Sequence, residues 1–448
     1  MRVLQIVRHH WNYSIGGLEL YVKDLVTGLL QRGVNNTLLT FQPKAQVEID
    51  NDNRFPIIKF PRLSEENREK FARDLKAKLM EDSFDCAHFH LFRDEEYITA
   101  KILNELKIPY IFTYHLPAAC CLRGNLMRWG MVVCDSKTEY FKCTACRIQN
   151  RLKTNRALSY TAALINALFS ETLFSLWKKQ WSKIDYWEST KQYIDMLRYF
   201  LTNTKLGISC SEWGIRTLEM NGVDKKRVVY MPQGLPLEFE ENSDELTGSE
   251  NNSLIIGYVG RISPEKGVHI LVDAFKKVKD ENARLEIYGF KHNERSVYEK
   301  ELYRSISTDA RIKACSRLSH SELAKVYRRI GFLAIPSVCP ETGPLVVWEA
   351  LAFGIPIIAS ERIGHKSLLE NGNRGILVAP HTEERWVEIL EIVLRNEKKF
   401  IKEKTKFRTM NTVADEMVRV YISLKGDSNE RIANNSNFTS SGSFKTEK

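Results

Sequence analysis

Two short motifs between residues 256 and 351 decide the fold of this chain. The motif GRISPEKG, at residues 260–267, directly follows an apolar run at 254–259 that predicts a strand. The motif ETGPLVVWEAL, at residues 341–351, comes about eighty residues later. A glycine-bearing loop between a strand and a helix is the place where an α/β domain binds phosphate, because unpaired helix amides and the helix dipole attract anions there.

Each motif carries charges suited to one part of an activated sugar. Arg261 can hold two phosphate oxygens in a fork, and Lys266 adds a point charge at the start of a predicted helix, 267–277. Pro344 suits the first turn of a second helix, which we predict over 344–353. Glu341 precedes that helix and Glu349 lies within it, so two carboxylates are available for sugar hydroxyls. Together the motifs indicate a site for a nucleotide diphosphate sugar.

Short apolar runs alternate with helix-length segments along most of the chain, which predicts parallel α/β domains. Seven strands are predicted in the first half, at 3–7, 37–41, 57–60, 85–89, 110–114, 206–210 and 228–231. Five are predicted in the second half, at 254–259, 284–288, 331–335, 356–359 and 375–378. The polar stretch 238–252 between the halves reads as a linker.

The two motifs, in this order and with these flanks, resemble the retaining glycosyltransferases of the GT-B fold, family four. The resemblance covers roughly residues 1–120 and 200–425. It implies two Rossmann-like domains that face a cleft. The domains are predicted as follows: an N-terminal acceptor domain at 1–237 with an insertion at about 117–205, a C-terminal donor domain at 253–405, a closing helix at 406–425 and a disordered tail at 426–448.

The resemblance also assigns roles to residues of this chain. His115, Glu341, Arg261 and Lys266 are the predicted catalytic residues, with His115 near the reacting carbon and Glu341 at the transferred sugar. Glu349 is expected to bind the ribose. The remaining predicted donor-binding residues are Gly16, Gly17, Gly260, Gly343, Leu345 and Val346.

Three positions depart from the family pattern or compete with it. Glu341-Thr342-Gly343 stands where the family usually has Glu-x-Phe-Gly, and Gly364-His365-Lys366 replaces Gly-Gly-x-x-Glu. An Asp-x-Asp match at residues 50–52, which a metal-dependent transferase of the other major fold would need, has no strand directly before it. We interpret it as a loop and expect no catalytic metal.

The cysteines of the insertion have metal-ligand spacing. Cys121, Cys134, Cys143 and Cys146 are separated by 12, 8 and 2 residues in a segment with little apolar content. Such a segment cannot bury a core of its own, and a metal bound by four thiolates would fold it. The pattern resembles an insertion found in a subset of these transferases. Structural zinc is the first interpretation, and free structural thiols or an iron–sulfur cluster are the alternatives.

The rest of the insertion is predicted to be helical and is basic, with a net charge of +5 over residues 151–205. Trp177, Trp181 and Trp187 lie near several lysines, which suits an anionic membrane surface, although a helix packed on the first domain explains the same apolar residues. The whole chain of 448 residues has a formal net charge of +10 and nine cysteines. Without a secretory signal, these features predict a cytoplasmic protein, with peripheral membrane contact as an option.

Two rival functions remain. A binding protein of the same fold that has lost activity would keep the donor site, and a donor-hydrolysis assay separates it from an enzyme. A zinc-containing nucleic-acid-binding protein would use the positive charge, but no recognised nucleic-acid module occurs, so nucleic acid is not the expected partner. The expected partners are the nucleotide-sugar donor and a glycan or lipid-linked acceptor from polysaccharide or glycolipid precursor synthesis.

Overall fold

A computed structural model divides the chain into two compact α/β units. The first comprises residues 1–232 together with the chain from Ala414, and the second comprises residues 233–413. The described residues are 1–11, 16–42, 48–52, 55–64, 66–170, 186–241, 255–291, 296–369, 374–396 and 407–425.

The first unit is built on an eight-stranded sheet, with a separate two-stranded hairpin. Its strands are β1 Arg2–Val7, β2 Asn35–Gln42, β3 Glu48–Asp52, β4 Phe55–Pro61, β5 Cys86–Phe89, β6 Tyr110–Tyr114, β7 Met127–Arg128, β8 Val132–Val133, β9 Leu206–Ser209 and β10 Val228–Tyr230. The large sheet runs in the order β10-β9-β6-β5-β1-β2-β4-β3, and all its pairs are parallel except β3 with β4. The central strands are nearly all buried, as expected when helices cover both faces of a parallel sheet.

Among the described residues, seven α-helices precede the second unit. They are α1 Gly17–Gln31, α2 Arg68–Met80, α3 Asp94–Glu105, α4 Tyr140–Leu152, α5 Arg156–Ser170, α6 Tyr186–Asn203 and α7 Glu212–Met220. The predicted insertion therefore begins with the hairpin β7–β8 and continues as α4, α5 and α6, which agrees with its helical prediction. Trp177, Trp181 and their neighbouring lysines lie outside the described residues.

The second unit is built on a six-stranded parallel sheet in the order β13-β12-β11-β14-β15-β16. Its strands are β11 Ile255–Val259, β12 Arg284–Phe290, β13 Ile312–Ser316, β14 Phe332–Ile335, β15 Ile357–Ser360 and β16 Gly375–Val378. The helices that follow in sequence are α8 Leu237–Glu241, α9 Val268–Lys276, α10 Val297–Ile306, α11 His320–Arg329, α12 Leu345–Ala352, α13 Glu383–Arg395 and α14 Met410–Lys425. All twelve predicted strands are present, with ends within two residues of the prediction.

The predicted linker differs from the structure at its start. Residues 237–241 form the short helix α8, and Phe239 is 3% exposed in a core cluster with Tyr327 and Phe353. Those apolar contacts attach the segment to the second unit, so the boundary falls at Pro232 rather than after residue 237. The rest of the linker, 242–252, lies outside the described residues, as does the predicted disordered tail, 426–448.

The Asp-x-Asp match at residues 50–52 is in a strand, so its interpretation as a loop is wrong. The strand β3 pairs antiparallel with β4 at the edge of the first sheet. Charged residues are common on edge strands because they prevent pairing with other chains, and this explains the polar sequence.

Candidate active site

The two motifs that opened the sequence meet where the second sheet reverses its strand order. The strand β11 has β12 on one side and β14 on the other, so the loops after β11 and β14 flank the topological switch point. Ligands of open α/β sheets bind at this point, beyond the carboxyl ends of the strands. The motif 260–267 occupies the first loop, and the motif at 341 ends the second.

Close backbone approach holds the two loops together. The amide of Val338 donates to the carbonyl of Glu265 over 2.9 Å. Gly267 has φ +68°, and a Cβ there would lie 1.9 Å from the carbonyl oxygen of Pro336. On the far side, the amide of Glu341 donates to the carbonyl of Arg362 over 3.0 Å, which joins the loop to the one after β15. The motif's last glycine is therefore required by geometry.

This arrangement pairs the predicted lysine with the first predicted glutamate. Lys266 Nζ lies 2.7 Å from Glu341 Oε2, with the side chains 27% and 11% exposed. Ser337 donates its hydroxyl to Glu341 Oε1. Because an ammonium has three donors, Lys266 can keep this contact and still bind an anion from solvent. The two carboxylate oxygens of Glu341 are thus held by separate partners.

The second predicted glutamate lies deeper. Glu349, on α12, is 3% exposed, and Tyr327 donates to its Oε2 over 2.7 Å. Burial raises the pKa of Glu349 to about 7, and the Tyr327 hydrogen bond opposes that rise. Glu349 therefore changes between its protonated and ionised forms near neutral pH, whereas an ordinary surface carboxylate is already ionised there.

The first turn of α12 has no side-chain hydrogen bond from its N-cap residue. Pro344 is its N-cap and makes no side-chain cap, so the first amides, at Leu345 and Val346, receive no side-chain cap from that residue. Before it, Gly343 lies between two buried polar groups: a Cβ there would be 2.8 Å from both Gln233 Oε1 and His365 Nε2. Neither of these atoms has a hydrogen-bond partner among the described residues. Burial lowers the pKa of His365 to about 4, so the ring is neutral.

The remaining donor-loop residues sit at the surface end of the site. Arg261 is exposed, and its carbonyl accepts a hydrogen bond from the Tyr258 hydroxyl over 2.8 Å. Its neighbour Gly260 directly follows β11, and a Cβ there would lie 2.9 Å from the Tyr258 hydroxyl oxygen. The Arg261 guanidinium lies on this loop, and no hydrogen bond or ion pair to it is found among the described residues.

In the first unit, Gly16 and Gly17 begin α1. Gly16 is the N-cap, and its amide donates to Glu19 Oε2 over 3.1 Å in a capping box. This hydrogen bond uses the backbone amide of Gly16, a residue that the sequence analysis predicted to bind the donor. Residues 12–15 of the same loop lie outside the described residues.

His115 belongs to a buried polar network at the carboxyl ends of β5 and β6. Its Nε2 lies 3.2 Å from His90 Nδ1, and His90 Nε2 lies 2.9 Å from Gln5 Oε1. Gln5 donates to the hydroxyl of Tyr421 on α14 over 3.1 Å, and that hydroxyl lies 2.7 Å from His88 Nδ1. His88 and His90 are therefore joined to His115 and to the last helix.

The network determines which ring nitrogens carry protons. The carbonyl Oε1 of Gln5 can only accept, so His90 Nε2 donates to it. Burial lowers the pKa of His90 well below its usual value, so its Nδ1 is bare and accepts from His115 Nε2. Burial also lowers the pKa of His115 to about 3. His115 is thus a neutral imidazole protonated at Nε2.

The four cysteines line one pocket without forming a metal-ligand set. Cys121, Cys134, Cys143 and Cys146 surround it together with Cys120 and several basic side chains. Among the described residues, however, no three His, Cys, Asp or Glu side chains are close enough to hold a metal ion. Burial raises the pKa of Cys134 to about 11, and that of Cys143 also rises, so these thiols are protonated. The structure does not support the zinc prediction.

The two largely parallel sheets with their covering helices define an α/β protein with two Rossmann-like units, the architecture of the GT-B fold. Family models extend this identification. The model described as glycosyl transferases group 1 matches residues 239–408, and the model for glycosyltransferase family 4 matches residues 15–137. Together they cover well over half of the chain, which belongs to family 4 of the glycosyltransferases.

Relatives of assigned function match only part of the chain. A D-inositol 3-phosphate glycosyltransferase of Corynebacterium glutamicum (strain R) is 29% identical over 185 residues, which are 38% of this chain and 44% of that protein. The matched region therefore spans less than half the length of this relative.

Solved structures match over nearly the whole length and show the fold. Anabaena Alr3699/HepE, in complex with UDP, has a TM-score of 0.59 at 16% identity and covers 97% of this chain and 98% of its own. Sucrose-phosphate synthase from Thermosynechococcus elongatus has the same TM-score and identity and covers 95% of this chain and 96% of its own.

Proposed function

We propose that this protein transfers a sugar from a nucleotide diphosphate donor to an acceptor hydroxyl, with retention of anomeric configuration. The observation that carries the proposal is the Lys266–Glu341 pair, 2.7 Å apart beside the start of α12. A cation and a carboxylate at that point suit the two ends of the bond that breaks: the diphosphate that leaves and the sugar that moves.

In this mechanism, electrostatic stabilisation of the leaving diphosphate is the main source of catalysis. Negative charge grows on the bridging oxygen as its bond to the anomeric carbon breaks. Lys266, Arg261 and the amides of Leu345 and Val346 face that charge, which preorganised donors stabilise strongly. The acceptor hydroxyl attacks on the leaving-group face and passes its proton to the departing diphosphate, so no protein nucleophile is required.

The two glutamates bind different parts of the donor. Glu341 accepts from hydroxyls of the transferred sugar, and Glu349 accepts from the ribose. In the first unit, His115 contacts the sugar near the reacting carbon. Its neutral state fits this role, because an imidazolium would oppose the positive charge that develops on the anomeric carbon. The acceptor is a glycan or a lipid-linked precursor.

Thermal stabilisation by a panel of nucleoside diphosphates and nucleotide sugars tests the donor class, since a bound donor raises stability by mass action. A donor-hydrolysis assay with the best ligand then separates an enzyme from a binding protein. Thermal stabilisation by a donor without hydrolysis or transfer would indicate an inactive, donor-binding member of the family. No stabilisation by any nucleotide would contradict the proposal.

A further inference from the structure

An unusual share of the exposed apolar side chains lies in the insertion of the first unit. Of the sixteen large hydrophobic side chains that are exposed among the described residues, nine fall between residues 131 and 168. A soluble protein scatters such residues singly over its surface, whereas a contiguous group marks an interaction surface. The clustering therefore requires a cause other than chance exposure.

One face of α5 carries most of this group. Leu158, Leu164, Ile165 and Leu168 are 57%, 50%, 51% and 64% exposed. Their spacing places them on one side of a helix, opposite Ser159 and Ala163, which are fully buried against the rest of the insertion. The helix thus packs through its small residues and turns its large ones to solvent, the reverse of an ordinary surface helix.

The tip of the hairpin β7–β8 extends this face. Met131, Val132 and Val133 are 68%, 49% and 44% exposed. Arg156 Nη2 lies 3.7 Å from Met131 Sδ, so the tip is next to the first turn of α5. The exposed face of α5 and the hairpin tip together are called the apolar face below.

Three exposed basic residues border the apolar face, whereas Lys142 of the same segment is buried and paired with Asp135. Residues 140–170 contain five Lys or Arg and no Asp or Glu. Arg151, Lys153 and Arg156 are exposed at the turn from α4 into α5, and no ion pair to them occurs in the described part of the chain. A second protein surface would have to supply both an apolar patch and matching carboxylates. An anionic bilayer supplies both at once.

We propose that the apolar face docks the protein on an anionic lipid bilayer, with α5 lying in the plane of the interface and Arg151, Lys153 and Arg156 at the headgroups. The helix does not cross the bilayer: no described helix is long and apolar enough to span a membrane. Docking does not depend on the proposed transferase activity. It would bring a lipid-linked acceptor to the enzyme's surface.

Sedimentation with vesicles of phosphatidylcholine, with and without phosphatidylglycerol, tests the proposal on the full chain. Wild type is expected to bind the anionic vesicles far better than the neutral ones. The variant Leu164→Gln/Ile165→Gln removes apolar area at constant charge and is expected to lose about tenfold or more in partitioning. The variant Arg151→Gln/Lys153→Gln/Arg156→Gln should lose about a hundredfold on anionic vesicles, since each cation contributes about fivefold.

Val297→Gln is the matched control, because Val297 is a 72% exposed apolar residue on α10 of the second unit. It should bind vesicles like wild type. All variants should keep the wild-type melting temperature and nucleotide affinity, which separates failed docking from failed folding and from a wrong donor site. Equal binding to both vesicle types, or unchanged binding by the apolar-face variant, overturns the proposal. So does a dimer in sedimentation velocity that the apolar-face variant dissociates, because the partner would then be a second copy.

Discussion

The polar side chains at the strand ends of the two units differ in charge and in burial. In the second unit, Lys266 and Glu341 form an ion pair across two loops, with side chains that are 27% and 11% exposed. In the first unit, His88, His90 and His115 are almost completely buried, and burial removes their charge. An ion pair can contact a charged ligand, whereas neutral imidazoles offer only hydrogen bonds. The difference teaches that burial, as much as residue type, decides which interactions the strand ends of each unit can make.

Removing the charge of the second unit should give the largest effect. Lys266→Ala is expected to lower donor hydrolysis or transfer by about 10–100-fold, because a charge-assisted hydrogen bond to the leaving group is worth about 1.5–3 kcal/mol. Lys277→Ala is the control, since that lysine is 62% exposed and pairs with Glu383 away from the motif loops. Steady-state kinetics of both variants measure the effect. A change of less than twofold for Lys266→Ala would contradict the assigned role.

Substitutions of the two glutamates of the second unit should weaken the binding of different ligands. Glu349→Gln is expected to weaken nucleoside diphosphate and nucleotide sugar alike, by about tenfold, the cost of a single hydrogen bond to a charged group. Glu341→Gln should spare the nucleoside diphosphate, since Lys266 is then released from its pair, and weaken only the sugar donor. Calorimetric titration of both ligands into both variants decides the matter. Equal losses of both ligands in both variants would show that the roles are wrong even if the site is right.

The pH dependence of donor binding should expose the raised pKa of Glu349, about 7. A native pKa above the unfolded value means that this group's contribution to stability is present at low pH and is lost as pH rises through 7. Hydroxyl donors prefer the carboxylate, so donor affinity should change in the opposite sense and rise about fivefold from pH 6 to pH 8. A nucleotide sugar must be used, because the terminal phosphate of a free diphosphate titrates near pH 6. Calorimetry in buffers of different ionisation enthalpy should detect proton release on donor binding at pH 6.5. A donor affinity that does not change with pH would argue against a contact between Glu349 and the ribose.

The smallest change in activity is expected in the neutral network of the first unit. His90→Phe leaves Gln5 Oε1 and His115 Nε2 without their partner, which should cost about 1–3 kcal/mol of stability. The specific readout is ¹⁵N NMR of the imidazoles, in which wild-type His115 should be protonated at Nε2 and unchanged from pH 5 to pH 8. In the variant that tautomer should no longer dominate. Protonation at Nδ1 in the wild type would disprove the network's assignment.

The sequence predicted the regular parts of both units well, because buried parallel strands read as short apolar runs. It missed β3, whose polar edge sequence resembles a loop, the two-residue strands β7 and β8, and β13, Ile312–Ser316, whose apolar run is interrupted by Lys313. The zinc prediction depended on the cysteine spacing, on the low apolar content of the segment and on a resemblance, and none of these reveals how far apart the thiols lie in space.

Within the site, the motifs predicted which residues converge but not how each is held. Ser337 and Tyr327 contact predicted residues, yet neither belongs to the quoted motifs. His365, which the sequence showed only as part of a departure from the family pattern, borders Gly343. Ser337 follows β14 by two residues, a position that could have suggested a role. The pairing of Tyr327 with Glu349 and the position of His365 beside Gly343 are set by tertiary packing and leave no local signal.

The hydrogen bond between Gln5 and Tyr421 joins residues 416 positions apart. During synthesis, the first strand emerges from the ribosome long before the helix that completes its polar core. Until residue 421 has been made, the first unit therefore lacks the hydroxyl partner of His88 Nδ1 and one of the two partners of Gln5 Nε2, which keeps Asn36 Oδ1. A fragment that ends at Pro232 would keep that gap permanently, whereas the same fragment joined through a flexible linker to residues 410–425 would close it. Nascent-chain folding of this protein is thus governed by its last helix.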